Sequence, residues 1–137
     1  MPSTRPLRLV VVDDEPMMRE LLKEFLTDIG HQVIAEGNTG YRAIELAKQH
    51  QPDLVFLDIN MPELSGLDAL ASIKTLCENQ LVIMVTACST SSEVQQAIRT
   101  GADGYVLKPF RGQQISSAID KALAKKAALA HKPPAQE

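Results

Sequence analysis

Tryptophan is absent from the chain, and cysteine and the other aromatic residues are scarce. The 137 residues include two cysteines, three phenylalanines and two tyrosines. Cys77 and Cys88 have neither C-x-x-C spacing nor a nearby histidine pair, so we expect no zinc site and no disulfide framework. Hydrophobic residues make up 45% of the sequence, which is enough for one domain with an aliphatic core of ordinary size.

The sequence also lacks a large excess of charge of one sign and lacks long apolar runs. The formal net charge is -3, and acidic and basic residues are interspersed, so the sequence has no basic footprint for nucleic acid. No run approaches the roughly 18 consecutive apolar residues of a membrane span. Residues 1–6 lack the apolar core of a signal peptide. We therefore expect a cytoplasmic protein that binds neither nucleic acid nor a membrane.

Five short apolar segments, each followed by an amphipathic segment, run along the chain. We predict strands at residues 7–12, 32–37, 54–57, 81–86 and 104–107. Apolar residues recur at helical spacing after each strand, and this spacing assigns Leu21, Ile29, Leu76 and Ile98 to apolar helix faces. Strands and helices that alternate through short connections favour a doubly wound parallel sheet with right-handed crossovers.

Charged and polar residues stand where four of these strands end. They are Asp13 and Asp14, Asp58, Thr86, and Lys108. Parallel strands bring their carboxyl ends to one edge of the sheet, and open α/β sheets bind ligands at that edge. Two carboxylates about 4 Å apart repel by about 4 kcal/mol at an effective dielectric of about 20, so such a cluster requires a cation.

Magnesium suits this set of residues, because it accepts carboxylate ligands and leaves positions for water and phosphate oxygens. Lys108 would add a positive charge that attracts the same phosphate group. An aspartate that faces Mg²⁺ and a lysine is a suitable nucleophile toward a phosphoryl donor, and the product would be an acyl phosphate. Taken singly, Asp58 would more often cap a turn, Thr86 would satisfy a loop amide, and Tyr105 would be a half-buried strand residue.

Four motifs in order carry a resemblance to a known family. They are Asp13-Asp14-Glu15-Pro16, Asp58 with Asn60-Met61-Pro62 and Gly66, Val85-Thr86-Ala87, and Gly101-Ala102-Asp103-Gly104-Tyr105 with Lys108-Pro109-Phe110. This pattern resembles the receiver domain of two-component response regulators, and it extends over residues 7–126. Residues 1–6 would then be an N-terminal extension, and residues 127–137 would be a disordered tail. The resemblance implies a flavodoxin-like sheet of order 2-1-3-4-5 flanked by five helices.

The resemblance also assigns roles to individual residues. Asp58 would be the phosphoacceptor, and Mg²⁺ would bind Asp14, Asp58 and the backbone carbonyl of Asn60 directly and Asp13 through water. The phosphoryl-binding and switch residues would be Thr86, Ala87, Tyr105 and Lys108. The Lys108-Pro109 bond is expected to be cis, a form that only X-Pro bonds adopt at low cost. We interpret Glu15 as a charge at a helix start and Cys88 as an ordinary loop residue.

The resemblance implies a phosphorylation-dependent switch that is not an enzyme, although it would assist its own phosphorylation and dephosphorylation. A sensor histidine kinase or phosphotransfer protein would supply the phosphoryl group, and an effector protein would bind the surface of the fourth helix, fifth strand and fifth helix. The last helix lacks the glutamate and arginine typical of receivers that dimerise ahead of a winged-helix domain, which favours a single-domain, chemotaxis-type regulator.

Two other functions remain open on the sequence alone. One is a receiver-like adaptor that is never phosphorylated, and the complete acidic set argues against it. The other is a Mg²⁺-dependent aspartyl phosphotransferase, but Asp13-Asp14-Glu15 lacks the D-x-D motif of the related hydrolases. A nucleotide-binding module is excluded, because the acidic turn after the first strand has no glycine-rich loop.

Overall fold

The computed structural model describes residues 6–130, in which strands and helices alternate. The strands are β1 (Arg8–Val12), β2 (Gln32–Gly37), β3 (Leu54–Leu57), β4 (Leu81–Thr86) and β5 (Gly104–Leu107). The helices are α1 (Pro16–Asp28), α2 (Gly40–His50), α3 (Gly66–Leu76), α4 (Ser91–Thr100) and α5 (Gly112–Ala130). Neighbouring strands pair in parallel in the order β2-β1-β3-β4-β5, which confirms the predicted doubly wound sheet.

Helices cover both faces of the sheet, and alternate strand residues enter two separate cores. Leu9 and Val11 of β1 belong to the core under α1 and α5, whereas Val10 and Val12 belong to the core under α2, α3 and α4. Every residue of β3 and β4 is buried. Because each central strand is covered on both sides, its sequence is continuously apolar and does not alternate.

Helix boundaries and faces differ in places from the prediction. Leu21, Leu76 and Ile98 are exposed, because only a narrow strip of each helix touches the sheet. Ile29, predicted to lie on the apolar face of α1, is the exposed residue just after the end of that helix. In α4 that strip is as narrow as a single buried residue, Ala97. The helix α5 continues past the predicted domain boundary at residue 126 to Ala130, through alanines that favour helix. Residues 131–137 of the predicted tail and residues 1–5 of the predicted extension lie outside the described residues.

Asp103, which belongs to one of the family motifs, joins three elements at the start of β5. Its carboxylate accepts the Val82 N–H at 2.9 Å and pairs with Lys74 at 2.8 Å and with Lys125 at 3.0 Å. Burial alone would raise the pKa of Asp103, but these hydrogen bonds and the lysine charge hold it below its usual value. Asp103 therefore stabilises the fold, away from the strand ends that carry the candidate site.

His31 supplies a pH-dependent contact at the start of β1. Its Nδ1 accepts the Leu7 N–H at 3.1 Å, so that nitrogen must be unprotonated in the fold. Burial lowers the pKa of His31, and the charges of Asp120 and Asp53 only partly oppose this. The folded protein thus binds the proton less readily than the unfolded chain, and the contribution of His31 to stability is present above a pH of about 6.5.

We expect this contribution to be lost as the pH falls through the lowered pKa of His31. In His31→Asn, the amide oxygen keeps an acceptor that does not titrate. Between about pH 7.5 and about pH 5, the free energy of unfolding of the parent should fall relative to that of the variant by about 1 kcal/mol, the net value of one hydrogen bond. Denaturant unfolding of both proteins across this range measures the difference, and a constant difference would contradict the assignment.

Candidate functional site

The carboxyl ends of β1 and β3 lie side by side and place two aspartates together. The Asp13 N–H donates to the Gly37 carbonyl at 3.1 Å, and the Asp58 N–H donates to the Val12 carbonyl at 3.0 Å. Asp13 and Asp58 are each only 4% exposed, whereas Asp14 is exposed. Ligand oxygens of the three carboxylates all lie within 4.8 Å of one another, so the structure brings the predicted acidic cluster together.

Lys108 reaches this cluster from the loop that follows β5. Its Nζ lies 2.8 Å from Asp13 Oδ2, 3.0 Å from Glu15 Oε1 and 3.2 Å from Asp58 Oδ2. Burial would lower the pKa of Lys108, but the hydrogen bonds to Asp13 and Glu15 and the charge of Asp58 raise it above its usual range. The side chain is therefore a permanent cation at the centre of the site.

The acidic cluster is not neutralised by this single ammonium group. Burial raises the pKa of Asp13 and the charge of Asp58 adds to the shift, while Lys108 and the Glu15 N–H oppose it. Among residues 6–130, the Asp14 carboxylate makes no hydrogen bond or ion pair with another side chain. Three oxygen-donor residues, one without a partner, are the ligand chemistry that a hard divalent cation prefers, so the site fits Mg²⁺.

The residues of the β4–α4 loop connect the site to Tyr105. Thr86 is fully buried, and its Oγ1 accepts the Cys88 N–H at 3.3 Å. The Tyr105 hydroxyl donates to the Cys88 carbonyl at 2.7 Å, and burial raises the pKa of Tyr105 to about 12. The Asn60 amide donates to Cys88 Sγ at 3.0 Å, and Ala87 is exposed beside them.

Two residues have contacts that the sequence interpretation missed. Cys88, interpreted as an ordinary loop residue, contacts Asn60 through its thiol and Tyr105 through its carbonyl. Glu15, interpreted as a helix-start charge, occupies the N-cap of α1 but makes no side-chain capping bond, and it pairs with Lys108 instead. The available signals were that Glu15 follows Asp13-Asp14 directly and that Cys88 lies two residues after Thr86. The contacts themselves join segments that are distant in sequence, so no local sequence pattern indicates them.

Two backbone features shape the loops of the site. The Lys108-Pro109 peptide bond is cis. The Gly66 N–H donates to the Ile59 carbonyl at 2.7 Å, and a Cβ atom on Gly66 would lie 1.9 Å from the Asp58 carbonyl oxygen. Only glycine allows the start of α3 to pack this closely against the end of β3.

The fold and this site define a class of protein: a doubly wound α/β domain with an acidic, lysine-containing site at the carboxyl edge of its sheet. The chain matches the family described as the response regulator receiver domain over residues 9–120. Chemotaxis protein CheY of Bacillus subtilis is 40% identical over 116 residues, which cover 85% of this chain and 97% of that protein. CheY of Thermotoga maritima is 36% identical over 114 residues, which cover 83% and 95%.

A solved structure has the same architecture. The crystal structure of a complex of CheX, CheY, BeF3 and Mg²⁺ from Borrelia burgdorferi matches with a TM-score of 0.84 and 26% identity. The match covers 87% of this chain and 90% of that chain. The chain therefore belongs to the response regulator receiver domain family.

Membership in this family identifies the general function. The protein is a receiver domain, which is a phosphorylation-dependent signalling switch and not a classical enzyme. Neither the unphosphorylated adaptor nor the aspartyl phosphotransferase is favoured by these matches. Within residues 6–130, none of the helices is both long enough and apolar enough to cross a membrane.

Proposed function

We propose that Asp58 accepts the phosphoryl group of this switch. The observation that carries the proposal is the buried Asp58 carboxylate, held 3.2 Å from Lys108 Nζ and within 4.8 Å of the ligand oxygens of Asp13 and Asp14. An Asp58 oxygen attacks the donor phosphorus, the bond from phosphorus to the donor nitrogen or oxygen breaks, and its electron pair leaves with the donor. The product is an acyl phosphate whose new charge faces the Lys108 ammonium.

Asp13, Asp14, Asp58 and the backbone carbonyl of Asn60 would hold Mg²⁺ in this proposal. Mg²⁺ supplies charge stabilisation for the transferring phosphoryl group. The three aspartates differ in their position within the site. The two buried aspartates lie next to Lys108, and the exposed Asp14 offers its oxygens from the solvent side.

We expect Asp14→Asn to stabilise the protein without metal and to remove the stabilisation by metal. In chelator, the variant should gain about 1 kcal/mol over the parent, because one charge leaves a crowded acidic site. At a hundredfold excess of Mg²⁺ over its dissociation constant, the parent should gain roughly 2.7 kcal/mol, which the variant should mostly lose. Denaturant midpoints with chelator and with Mg²⁺ measure both effects.

A matched control for this experiment is Asp68→Asn, which removes an exposed carboxylate from the first turn of α3. Asp68→Asn should respond to Mg²⁺ as the parent does. If Asp14→Asn is destabilising in chelator, or gains as much from Mg²⁺ as the parent, Asp14 is a structural residue at the start of α1 and the proposed metal site is wrong.

The switch would operate through Thr86, whose hydroxyl now accepts the Cys88 N–H. On phosphorylation, Thr86 would release this amide and donate to a phosphoryl oxygen, Lys108 would pair with a second oxygen, and the exposed Ala87 segment would line the group. Cys88 also accepts the Tyr105 hydroxyl, so a shift of this loop would disturb Tyr105. The phosphoryl group shifts the equilibrium only through contacts that differ between the two states.

We expect Thr86→Ala to leave phosphorylation of Asp58 largely intact and to reduce its effect on Tyr105 and on α4 and α5. Amide hydrogen exchange with Mg²⁺ and a small acyl-phosphate donor measures the response. Thr75→Ala is a suitable control, because its exposed hydroxyl donates to the Ala71 carbonyl within α3, away from the site. If the parent shows no response, the proposed switch fails. If Thr86→Ala responds like the parent, Thr86 is not the relay.

The partners follow from this role. A sensor histidine kinase or a phosphotransfer protein would donate the phosphoryl group in the cytoplasm. The face formed by α4, β5 and α5 would contact a downstream effector protein, without direct binding of nucleic acid or membrane. Autophosphorylation from small donors and autodephosphorylation are part of the same proposal, because the site already contains the nucleophile, the ammonium and the metal ligands.

A further inference from the structure

All three N–H donors of Lys108 have a carboxylate partner in this structure. An ammonium group has three donors, and Asp13, Glu15 and Asp58 each offer one oxygen, at 2.8, 3.0 and 3.2 Å respectively. The contact with Asp58 is the longest of the three and lies at the upper limit of an ordinary hydrogen bond. The Lys108 ammonium is therefore shared among three carboxylates, and its two shorter contacts are with Asp13 and Glu15, which follow β1.

Glu15 differs from the other two partners of Lys108. The side chains of Asp13 and Asp58 are 5% and 6% exposed, whereas that of Glu15 is 61% exposed. Its carboxylate makes no capping bond to α1. Among the described residues, the side chain of Glu15 forms a hydrogen bond or ion pair with Lys108 alone. Glu15 is thus the partner of Lys108 that the protein exchanges for water at the lowest cost.

We propose that Glu15 is a positioning residue that restrains the Lys108 ammonium in the resting state and weakens its contact with a phosphoryl group on Asp58. The inference rests on the proposed role of Asp58. The acyl phosphate carries more negative charge than the free carboxylate from which it forms, and it has additional acceptor oxygens. Movement of the Lys108 ammonium toward the phosphoryl oxygens strengthens its electrostatic attraction to them. The movement breaks the contact with Glu15. Glu15 therefore favours the resting state.

Removal of the contact should strengthen binding of a phosphoryl analogue. We expect Glu15→Gln to bind beryllofluoride about threefold more tightly than the parent at saturating Mg²⁺, the effect expected for an ion pair whose carboxylate is exposed. Glu15→Asp should show a similar gain, because its shorter side chain keeps the charge but no longer reaches Lys108. Titration calorimetry in about 0.15 M salt, where the charge of an exposed residue is screened, measures each affinity.

Glu20→Gln is the matched control, since it removes the same charge from the next turn of the same helix. The partner of Glu20 is Lys23, and among residues 6–130 neither side chain bonds Asp13, Asp14, Asp58 or Lys108. Its affinity for beryllofluoride should equal that of the parent. The free energy of unfolding of each variant without beryllofluoride is measured in parallel, because a purely structural role for Glu15 would change stability and leave the affinity unchanged.

The outcomes separate this inference from the proposed function. If the parent does not bind beryllofluoride, the role of Asp58 fails first. If the parent binds but Glu15→Gln binds equally or more weakly, Glu15 does not restrain Lys108 and the inference is wrong. If Glu15→Gln gains but Glu15→Asp behaves like the parent, the effect comes from the charge and not from the contact, and the positioning role is also wrong.

Discussion

Gly66→Ala is expected to lower the free energy of unfolding by at least about 3 kcal/mol, which places it among the most damaging single substitutions. The added Cβ atom would lie 1.9 Å from the carbonyl oxygen of Asp58 and 2.8 Å from the Ile59 Cα, and both of these are backbone atoms. Backbone at the end of a buried strand cannot move aside as a flexible side chain can. The substitution would therefore break the Gly66 N–H bond to Ile59 and displace Asp58 as well.

Gly104→Ala is the matched control for this prediction. A Cβ atom on Gly104 would meet the side chain of Ile83 at 3.3 Å, a tight contact that a small shift relieves. We expect this change to cost less than about 1.5 kcal/mol. Denaturant unfolding of the three proteins measures both effects. A Gly66→Ala protein as stable as Gly104→Ala would show that the loop after β3 has room that this structure does not show.

The sheet could be predicted from sequence because its signals are local. Residues 54–57 and 81–85 are continuous apolar runs, and both proved to lie in strands buried on two faces. The position of Asp58 at a strand end followed from the same pattern. The order of the strands did not, since periodicity carries no information about which strands are neighbours, and it came from the family resemblance.

Contacts between distant segments could not be predicted from sequence. Glu15 and Lys108 are separated by 93 residues, and their ion pair exists only because β1 and the loop after β5 end at one edge of the sheet. The contacts of Cys88 depend in the same way on distant residues, since Asn60 lies in the loop after β3 and Tyr105 lies in β5. The exposure of Ile98 could not be predicted from helical periodicity, because the spacing identifies the apolar face of a helix but not how much of that face is covered by other elements.

Asp58→Asn is expected to abolish phosphorylation completely, which is the largest functional effect that the structure predicts. The amide cannot form an acyl phosphate under these conditions, and no other carboxylate in the site combines burial with the same position beside Lys108 and the end of β3. Asp13 is equally buried, but it follows β1, and Lys108 lies closer to it, at 2.8 Å against 3.2 Å for Asp58. The variant should fold, since asparagine keeps the shape and removes one charge from the acidic cluster.

The intact mass of the parent and of Asp58→Asn, after incubation with Mg²⁺ and a small acyl-phosphate donor, tests the central claim most directly. The parent should gain the mass of one phosphoryl group and lose it in hydroxylamine, which cleaves acyl phosphates. Asp68→Asn, the exposed carboxylate variant of α3, should gain it as well, and Asp58→Asn should gain none. A phosphoryl group that persists in Asp58→Asn, or one that resists hydroxylamine as a serine or threonine ester would, contradicts the assignment of Asp58.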